Sequence, residues 1–184
     1  MGYFLLGGMK QIIFTDLDGT LLDAKTYSCE KSLAAINLLK QKDIPLIFCS
    51  AKTRAEQQVY RRRMEVFHPF IVENGGAILI PSNYFPFSFG YHKIVDELLV
   101  IELGIPYNKV RKLLGKIKEK GKSHFRGFGD MSAEEVVQVA GLDIESAKLA
   151  KQREYDETVV IASEANQPHI TPEEVDKFLN EIKQ

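Results

Sequence analysis

The sequence predicts an α/β fold: a doubly wound parallel sheet, followed by a smaller α+β region. In the first half of the chain, short continuous apolar runs of the kind found in buried parallel strands alternate with amphipathic helical stretches. This alternation favours βαβ units, because each parallel strand needs a crossover to reach the next. Beyond about residue 82 strands and helices mix less regularly, which indicates a small sheet with helices on one side.

The composition of the 184-residue chain limits the classes of function. A hydrophobic content of 45% suffices for one domain or two small ones, and a net charge of −1 gives no bias toward nucleic acid or membrane surfaces. The two cysteines are too few for a disulfide framework or a zinc site, and Cys49, in an apolar run, is expected to be a buried thiol. With no run as long as a membrane span, we expect a cytoplasmic location.

The elements of the first half follow from local signals. Strands are predicted at residues 11–15, 44–49 and 70–72, with a further apolar segment at 77–80. A helix is predicted over 30–42. A second helix begins at Thr53, where Glu56 completes a capping box. Residues 1–8 are a poor signal peptide and are interpreted as a leader or tag, with either Met1 or Met9 as the start.

A stretch rich in proline, serine and aromatic residues, 81–90, is predicted to be a domain boundary. Residues 9–81 are assigned to the N-terminal part of the core and residues 82–184 to a second domain. In that domain we expect strands at 98–103, 123–126 and 158–162 and helices at 106–120 and 171–183. Further helices are expected after Ser132 and Asp143, because both residue types favour N-caps.

Two aspartates directly follow the first predicted strand. Asp16 and Asp18 stand in the string IIFTDLDGTLL, after an apolar run and before a glycine that ends the strand. Open α/β sheets bind ligands at this edge, and two carboxylates so close repel each other unless a cation or a shared proton holds them. Oxygen ligands suit Mg²⁺, so a magnesium site is predicted here. The alternative is an ordinary Asx-type turn through Asp18 and Gly19.

Polar residues also follow the second and third predicted strands, so they should lie at the same edge of the sheet. Ser50 ends the second strand, and its hydroxyl can donate to a phosphate oxygen. Lys52 and Arg54 are candidate anion contacts, with helix capping and solvated surface as the alternative roles for this segment. Asn74 and Gly75 follow the third strand, where glycine allows a ligand to approach the backbone; a hairpin turn explains them equally well.

The string DLDGTLLD after an apolar strand resembles the first motif of the haloacid dehalogenase superfamily. The resemblance implies that Asp16 is the nucleophile that takes up a phosphoryl group, that Asp18 is the acid/base, and that Mg²⁺ is the cofactor. A carboxylate nucleophile divides hydrolysis into two steps, and a second carboxyl group can act as general acid and then as general base. Ser50 resembles the second motif, which implies that Ser50 and Lys52 bind phosphate.

Other segments resemble the mannosyl-3-phosphoglycerate phosphatases, a branch of this superfamily with a C2-type cap inserted after the third strand. They are SAKTRAEQ, ENGGAI, the YFPF segment, VIELG and REYDE. The resemblance implies a small phosphorylated sugar-glycerate substrate, with Arg54, Asn74 and Gly75 close to it in the core. Arg153 and Glu154 of REYDE would contact its glycerate or sugar part from the cap, although such a charged cluster is by itself typical of a solvated loop.

Two parts of that family pattern are not found in the sequence: a lysine after the cap and an acidic motif of the type GD-x-x-ND. The only Gly-Asp pair, Gly129-Asp130, follows a weak strand in the cap, and Ser132 beside it suits a helix N-cap. We therefore expect an incomplete core without its C-terminal part. Such a core would expose a sheet edge and apolar surface, which favours self-association.

The residues leave three hypotheses of function. The first is a Mg²⁺-dependent phosphatase of the mannosyl-3-phosphoglycerate type, and the second is another sugar phosphatase or a phosphomutase of the same fold. The third is an inactive chain that only binds phosphorylated ligands. No sequence feature points to nucleic acid or to a membrane as a partner.

Overall fold

The computed structural model describes residues 11–119 and 125–161, together with Asp176 and Asn180. The chain divides into two compact units, unit 1 up to Gly104 and unit 2 from Ile105. The predicted leader lies outside the described residues. So does the predicted helix at 171–183, apart from two helical positions, Asp176 and Asn180.

Unit 1 is built on a six-stranded sheet with the strand order β1-β2-β3-β4-β6-β5. The strands are β1 (Ile13–Thr15), β2 (Leu46–Cys49), β3 (Phe70–Val72), β4 (Ala77–Pro81), β5 (Lys93–Val95) and β6 (Leu98–Glu102). The first three are parallel, and β4, β6 and β5 continue the sheet in antiparallel pairs. The crossovers between the parallel strands carry α1 (Leu33–Gln41) and α2 (Arg54–Met64). The α/β class expected from the sequence is confirmed.

The antiparallel strands place the boundary between the two units later in the chain than the sequence predicted. The sequence placed the boundary after residue 81, but β6 pairs along the whole of β4, from Ala77 with Glu102 to Pro81 with Leu98. The ladder hydrogen bonds therefore keep residues 93–102 in the first sheet, and the compact units separate only after Gly104. The strand predicted at 98–103 exists, but it belongs to this sheet and not to the second unit.

One side of this sheet supplies the core of unit 1. Phe48, Phe70 and Leu79, from three neighbouring strands, are almost completely buried. At the edge strand β1, by contrast, Phe14 is 62% exposed, and Ile12, just before the strand, is 56% exposed. Cys49, the last residue of β2, is also exposed, contrary to the sequence expectation; its side chain lies on the face of the sheet opposite to that of the buried Phe48.

Unit 2 is a small α+β unit. Its described elements are α3 (Tyr107–Glu119), β7 (Phe125–Gly127), α4 (Ala133–Ala140), α5 (Ile144–Ala150) and β8 (Val159–Ile161), and β7 pairs antiparallel with β8. Side chains of the segment after β7 and of α4 and α5 form its core, with Val136 and Ala147 completely buried. Ser132 and Asp143 cap α4 and α5 by accepting hydrogen bonds from backbone N–H groups, as the sequence predicted.

In the part of the chain that the structure covers, every helix is too short or too polar to cross a bilayer.

Candidate active site

The parallel register of β1, β2 and β3 brings the predicted site residues to one edge of the sheet. Thr15 pairs with Phe48, and Cys49 pairs with Ile71, so Asp16, Ser50 and the 73–75 turn follow neighbouring strand ends. Backbone hydrogen bonds fix this arrangement, because Asn74 N donates to Ser50 O at 3.3 Å and Glu73 N donates to Lys52 O at 3.2 Å. The edge therefore carries the residues predicted from three separate segments of the sequence.

Asp16 is exposed directly after β1. Its Oδ1 accepts a hydrogen bond from Leu17 N at 2.7 Å, which fixes the direction of the carboxylate. Leu17 itself is completely buried, so it anchors the short segment between the two aspartates. An exposed carboxylate held by its own backbone is suited to meet a ligand from solvent.

Asp18 contacts a cation supplied by the next strand-to-helix connection. Lys52 Nζ lies 3.1 Å from Asp18 Oδ1 and 3.4 Å from Glu56 Oε1. The lysine side chain is only 7% exposed, whereas that of Asp18 is 44% exposed. The rings of Tyr27 and Tyr60 flank the ammonium group, with centroids 5.2 and 5.7 Å from Nζ. Lys52 is thus a buried cation, and its partner Asp18 is partly exposed to solvent.

The neighbours of Lys52 keep it charged. Burial by itself disfavours the ammonium form, but the carboxylates of Glu56 and Asp18 outweigh this effect and raise the pKa of Lys52 above its usual value. Burial also raises the pKa of Tyr60, so that residue stays a neutral phenol beside the lysine. Because its charge is paired with Asp18 and Glu56, an anionic ligand would contact Lys52 only by taking the place of one of these carboxylates or with the help of a cation.

The turn after β3 has an unusual backbone. Glu73, Asn74 and Gly75 have φ values of 48°, 56° and 93°, three consecutive residues in the left-handed region. Only glycine adopts such values without steric cost, and a Cβ at Gly75 would meet no atom within 4 Å. The segment joins the antiparallel strands β3 and β4, so it is the hairpin turn that the sequence offered as the alternative. The backbone of Gly75 is also open to an approaching group.

Ser50 is buried, and its Oγ accepts a hydrogen bond from Lys52 N at 3.4 Å. Arg54 begins α2, but its guanidinium is paired with Asp96 at 2.6 Å, a partner that lies 42 positions along the chain. Lys52 thus pairs with Asp18 and Glu56, whereas Arg54 is bound to a carboxylate of the β5–β6 turn.

The two residues proposed from the REYDE segment lie in unit 2. Arg153 is buried, and two of its guanidinium nitrogens lie 2.5 Å from Asp156 Oδ1. Glu154 is half-buried, and its backbone carbonyl accepts a hydrogen bond from Tyr107 N. The alternative interpretation of this segment, a charged and fully solvated loop, therefore does not hold for Arg153.

Sequence reasoning missed the role of Glu56 beyond helix capping. Its Oε2 accepts hydrogen bonds from Thr53 N and Oγ1, while its Oε1 pairs with Lys52. The predicted capping box is confirmed, and the same carboxylate anchors the buried lysine. The i, i+4 spacing of Lys52 and Glu56 was visible in the sequence and is a spacing at which side chains meet. Tyr27 and Tyr60 gave no comparable signal.

Asp16 and Asp18 are the candidate ligands for a magnesium ion. Among the described residues no group of three or more His, Cys, Asp or Glu side chains is placed to hold a metal. Asp16 and Asp18 nevertheless fit Mg²⁺, because this ion is commonly held by one or two carboxylates together with phosphate oxygens and water. The two aspartates are therefore the residues that would hold it.

The edge of a parallel sheet that carries two aspartates, a serine and a buried lysine is a place where α/β proteins bind ligands. Comparison with known proteins gives the family. The chain belongs to the haloacid dehalogenase-like hydrolases, whose family model matches residues 13–175. A glucosyl-3-phosphoglycerate/mannosyl-3-phosphoglycerate phosphatase of Methanococcoides burtonii is 51% identical over 158 residues, 86% of this chain and 58% of that protein. A mannosyl-3-phosphoglycerate phosphatase of Pyrococcus furiosus is 42% identical over 83% of this chain and 61% of its own length.

Among solved structures, a sugar phosphatase of haloacid dehalogenase subclass IIB matches with a TM-score of 0.55 and 18% identity. The match covers 94% of this chain and 64% of that chain, and it shows the shared fold. The chain thus spans about 60% of the length of the curated relatives described above. The resemblance predicted from the motifs is confirmed.

Proposed function

We propose that this chain carries the nucleophile and the acid/base of a Mg²⁺-dependent phosphatase that acts on a phosphorylated sugar-glycerate. The observation that carries the proposal is the contact of the buried Lys52 with Asp18, beside the exposed Asp16, at the carboxyl edge of a parallel sheet. Lys52 and Mg²⁺, when bound, would offset the negative charge of the carboxylates, so that an anionic phosphoryl group could approach an anionic nucleophile. The names of the relatives support the same class of substrate.

In the proposed reaction a carboxylate oxygen of Asp16 attacks phosphorus, and the bond from phosphorus to the sugar-glycerate oxygen breaks. Asp18 gives its proton to the departing oxygen. Water then attacks the aspartyl-phosphate, Asp18 takes a proton from that water, and phosphate leaves with Asp16 restored. Magnesium, when bound by Asp16 and Asp18, would neutralise phosphate charge.

The other site residues are proposed for binding. Ser50 and Lys52 would hold phosphoryl oxygens, and Asn74 together with the open backbone of Gly75 would contact the substrate beside them. Arg54 is proposed as a further substrate contact near this edge, but it must exchange its pairing with Asp96 for the ligand. The cap residues Arg153 and Glu154 stay proposals for the glycerate or sugar part.

Three further proposals concern the whole protein. Unit 2, from Ile105, would serve as the cap that the sequence resemblance implied. Two free cysteines, one buried and one exposed, agree with a reducing compartment such as the cytoplasm. Self-association would occur through the apolar edge strand β1, where Ile12 and Phe14 are more than half exposed.

Phosphate release from mannosyl-3-phosphoglycerate and from glucose 6-phosphate, with and without Mg²⁺, tests the proposal. Asp16→Asn should abolish release by the purified chain, because the amide is a poor nucleophile. Asp23→Asn is the matched control: Asp23 belongs to the same sequence segment but only orders a turn and pairs with Lys31.

Turnover that survives Asp16→Asn would remove Asp16 from the nucleophile role. A wild-type chain that releases no phosphate from either compound, yet binds the phosphate analogue vanadate, would favour a ligand-binding protein. Transfer of the phosphoryl group to a second sugar would identify a phosphomutase.

A further inference from the structure

The two carboxylate partners of Lys52 are held very differently. Glu56 is fixed: its side chain is 7% exposed, and its Oε2 accepts hydrogen bonds from Thr53 N at 2.9 Å and from Thr53 Oγ1 at 3.1 Å. The side chain of Asp18 is 44% exposed, and its Oδ1 lies 3.1 Å from Lys52 Nζ. Water can hydrate Asp18 when it turns away, whereas Glu56 would leave a buried capping box. Asp18 is therefore the partner that can be exchanged.

The lysine keeps its position when Asp18 moves. The rings of Tyr27 and Tyr60 flank Nζ, with centroids 5.2 and 5.7 Å away, and a ring face attracts an ammonium group. Tyr60 lies one helical turn after Glu56, so α2 carries both the fixed carboxylate and one of the two rings. An oxygen of another anion could then take the place of Asp18 Oδ1 beside the ammonium group.

The charges at this edge of the sheet favour two ions that arrive together. Asp16, Asp18 and Glu56 supply three carboxylates against the ammonium group of Lys52. The two negative charges in excess repel a phosphate ion that arrives alone, and one Mg²⁺ would neutralise them. A magnesium ion that arrives alone has to take Asp18 from Lys52, which leaves a buried cation with one carboxylate fewer. Each ion therefore removes an obstacle to the binding of the other.

We propose that the Lys52–Asp18 pair couples the binding of Mg²⁺ to the binding of a phosphoryl anion through an exchange of partners. Asp18 leaves Lys52 for the metal ion, and a phosphoryl oxygen takes the place of Asp18 beside Lys52. Because the same ion pair opens for both, each ion strengthens the binding of the other by an equal factor. Glu56, Tyr27 and Tyr60 are positioning residues in this exchange, since they act through Lys52. The assignment of both ions to this edge rests on the proposed function.

Isothermal titration calorimetry of the purified full chain with Mg²⁺ and inorganic phosphate tests the exchange without turnover. Saturating Mg²⁺ should tighten phosphate binding by about twentyfold, and saturating phosphate should tighten Mg²⁺ binding by the same factor. Opposite charges attract even without an exchange, so the decisive comparison is with Lys52→Met. In this variant the factor should fall below about fivefold, because no ion pair has to open.

Lys52→Met should also bind Mg²⁺ alone about fivefold more tightly than the wild type, since Asp18 has no lysine to leave. Lys31→Met is the matched control: it removes an exposed lysine that pairs with Asp23, and it should behave like the wild type in every titration. Equal coupling factors in the wild type and in Lys52→Met, or weaker binding of Mg²⁺ alone by Lys52→Met, would overturn the proposal.

A second measurement uses only the wild type, so it decides the matter even if Lys52→Met fails to fold. The ¹⁵N signal of the Lys52 ammonium group reports which anion lies beside it. This signal should shift when Mg²⁺ and phosphate are added together, and a signal that stays in place when both ions are saturating contradicts the exchange. Coupled binding without phosphate release from any sugar phosphate would remove the proposed function and leave the exchange in place. Phosphate release without coupled binding would remove the exchange alone.

Discussion

The buried ion pair of Lys52 gives the sharpest test of the site's construction. In Lys52→Met the side chain keeps nearly the same length, but Asp18 and Glu56 lose their cation. At 3.1 Å the attraction between Lys52 and Asp18 is about 5 kcal/mol at an effective dielectric constant near 20, before the cost of desolvation. Removing one partner of a fully buried pair costs about 3–5 kcal/mol, mostly through the charge left behind.

The expected loss in this chain is smaller. The side chain of Asp18 is 44% exposed and can be hydrated, and Glu56 keeps its hydrogen bonds from Thr53. We therefore expect Lys52→Met to lower the free energy of unfolding by about 2–3 kcal/mol, which corresponds to a fall in Tm of about 5–10 °C. Urea unfolding followed by circular dichroism measures the free energy, and a thermal melt measures Tm.

Lys31→Met is the matched control. Lys31 also pairs with an aspartate, at 3.2 Å from Asp23, but its side chain is 89% exposed, so the loss should stay below about 0.5 kcal/mol. The double variant Lys52→Met/Glu56→Gln should be more stable than Lys52→Met alone, because it removes the charge left without a partner. Equal losses for Lys52→Met and Lys31→Met would refute the view that Lys52 is a buried, paired cation.

The pH dependence of the same variant follows from the raised pKa of Lys52. A raised pKa means that the lysine's stabilising contribution is complete below the unfolded value of about 10.5 and disappears as pH rises through the higher folded value. The stability difference between the wild type and Lys52→Met should therefore be constant from pH 6 to 9 and shrink only above pH 10.5. Urea titrations across this range check it, and a difference that already falls between pH 6 and 9 would contradict the assignment.

Three further outcomes are expected. Thr53→Ala should cost about 1 kcal/mol in urea unfolding, because the N-cap of α2 loses its hydroxyl acceptor; an unchanged midpoint would contradict the capping geometry. Because the pKa of Asp130 is lower in the folded chain than the value near 3.8 expected when it is unfolded, the Asp130 carboxylate stabilises the fold above pH 3.8 and loses this contribution as the pH falls. The free energy of unfolding of Asp130→Asn, measured in urea, should therefore change less between pH 5 and pH 2 than that of the wild type. Phe14→Lys should reduce self-association measured by light scattering, whereas Phe87→Lys, at an aromatic residue that is also exposed, should not.

Much of the site could be predicted from the sequence because its signals are local. Asp16, Ser50 and Asn74 each follow a strand, and parallel strands place their carboxyl ends at one edge, so neighbourhood in the fold follows from the strand assignments alone. The caps at Thr53, Ser132 and Asp143 were visible for the same reason, since the capping side chain and the backbone N–H that donates to it lie three positions apart. The roles of these residues in catalysis stay predictions.

Other features depend on pairing between distant segments. β4 pairs antiparallel with β6, and this pairing keeps residues 93–102 in the first sheet. The apolar pattern of either strand does not specify which strand will be its partner in the ladder. In the same way, Arg54 meets Asp96 and Arg111 meets Glu157 across 42 and 46 positions. A charged residue in a sequence does not disclose whether it faces water or a distant partner.

The sequence by itself determined the α/β class, the helix caps and the position of the two aspartates after the first strand, because periodicity and short-range hydrogen bonding are written into neighbouring residues. Only the tertiary structure decided that Lys52 is a buried cation held between Asp18 and Glu56, that Arg153 pairs with Asp156, and that Glu157 has one buried oxygen without a partner among the described residues. Burial and charge pairing are set by how the elements pack, and the desolvation that gives these groups their energies exists only in the packed chain.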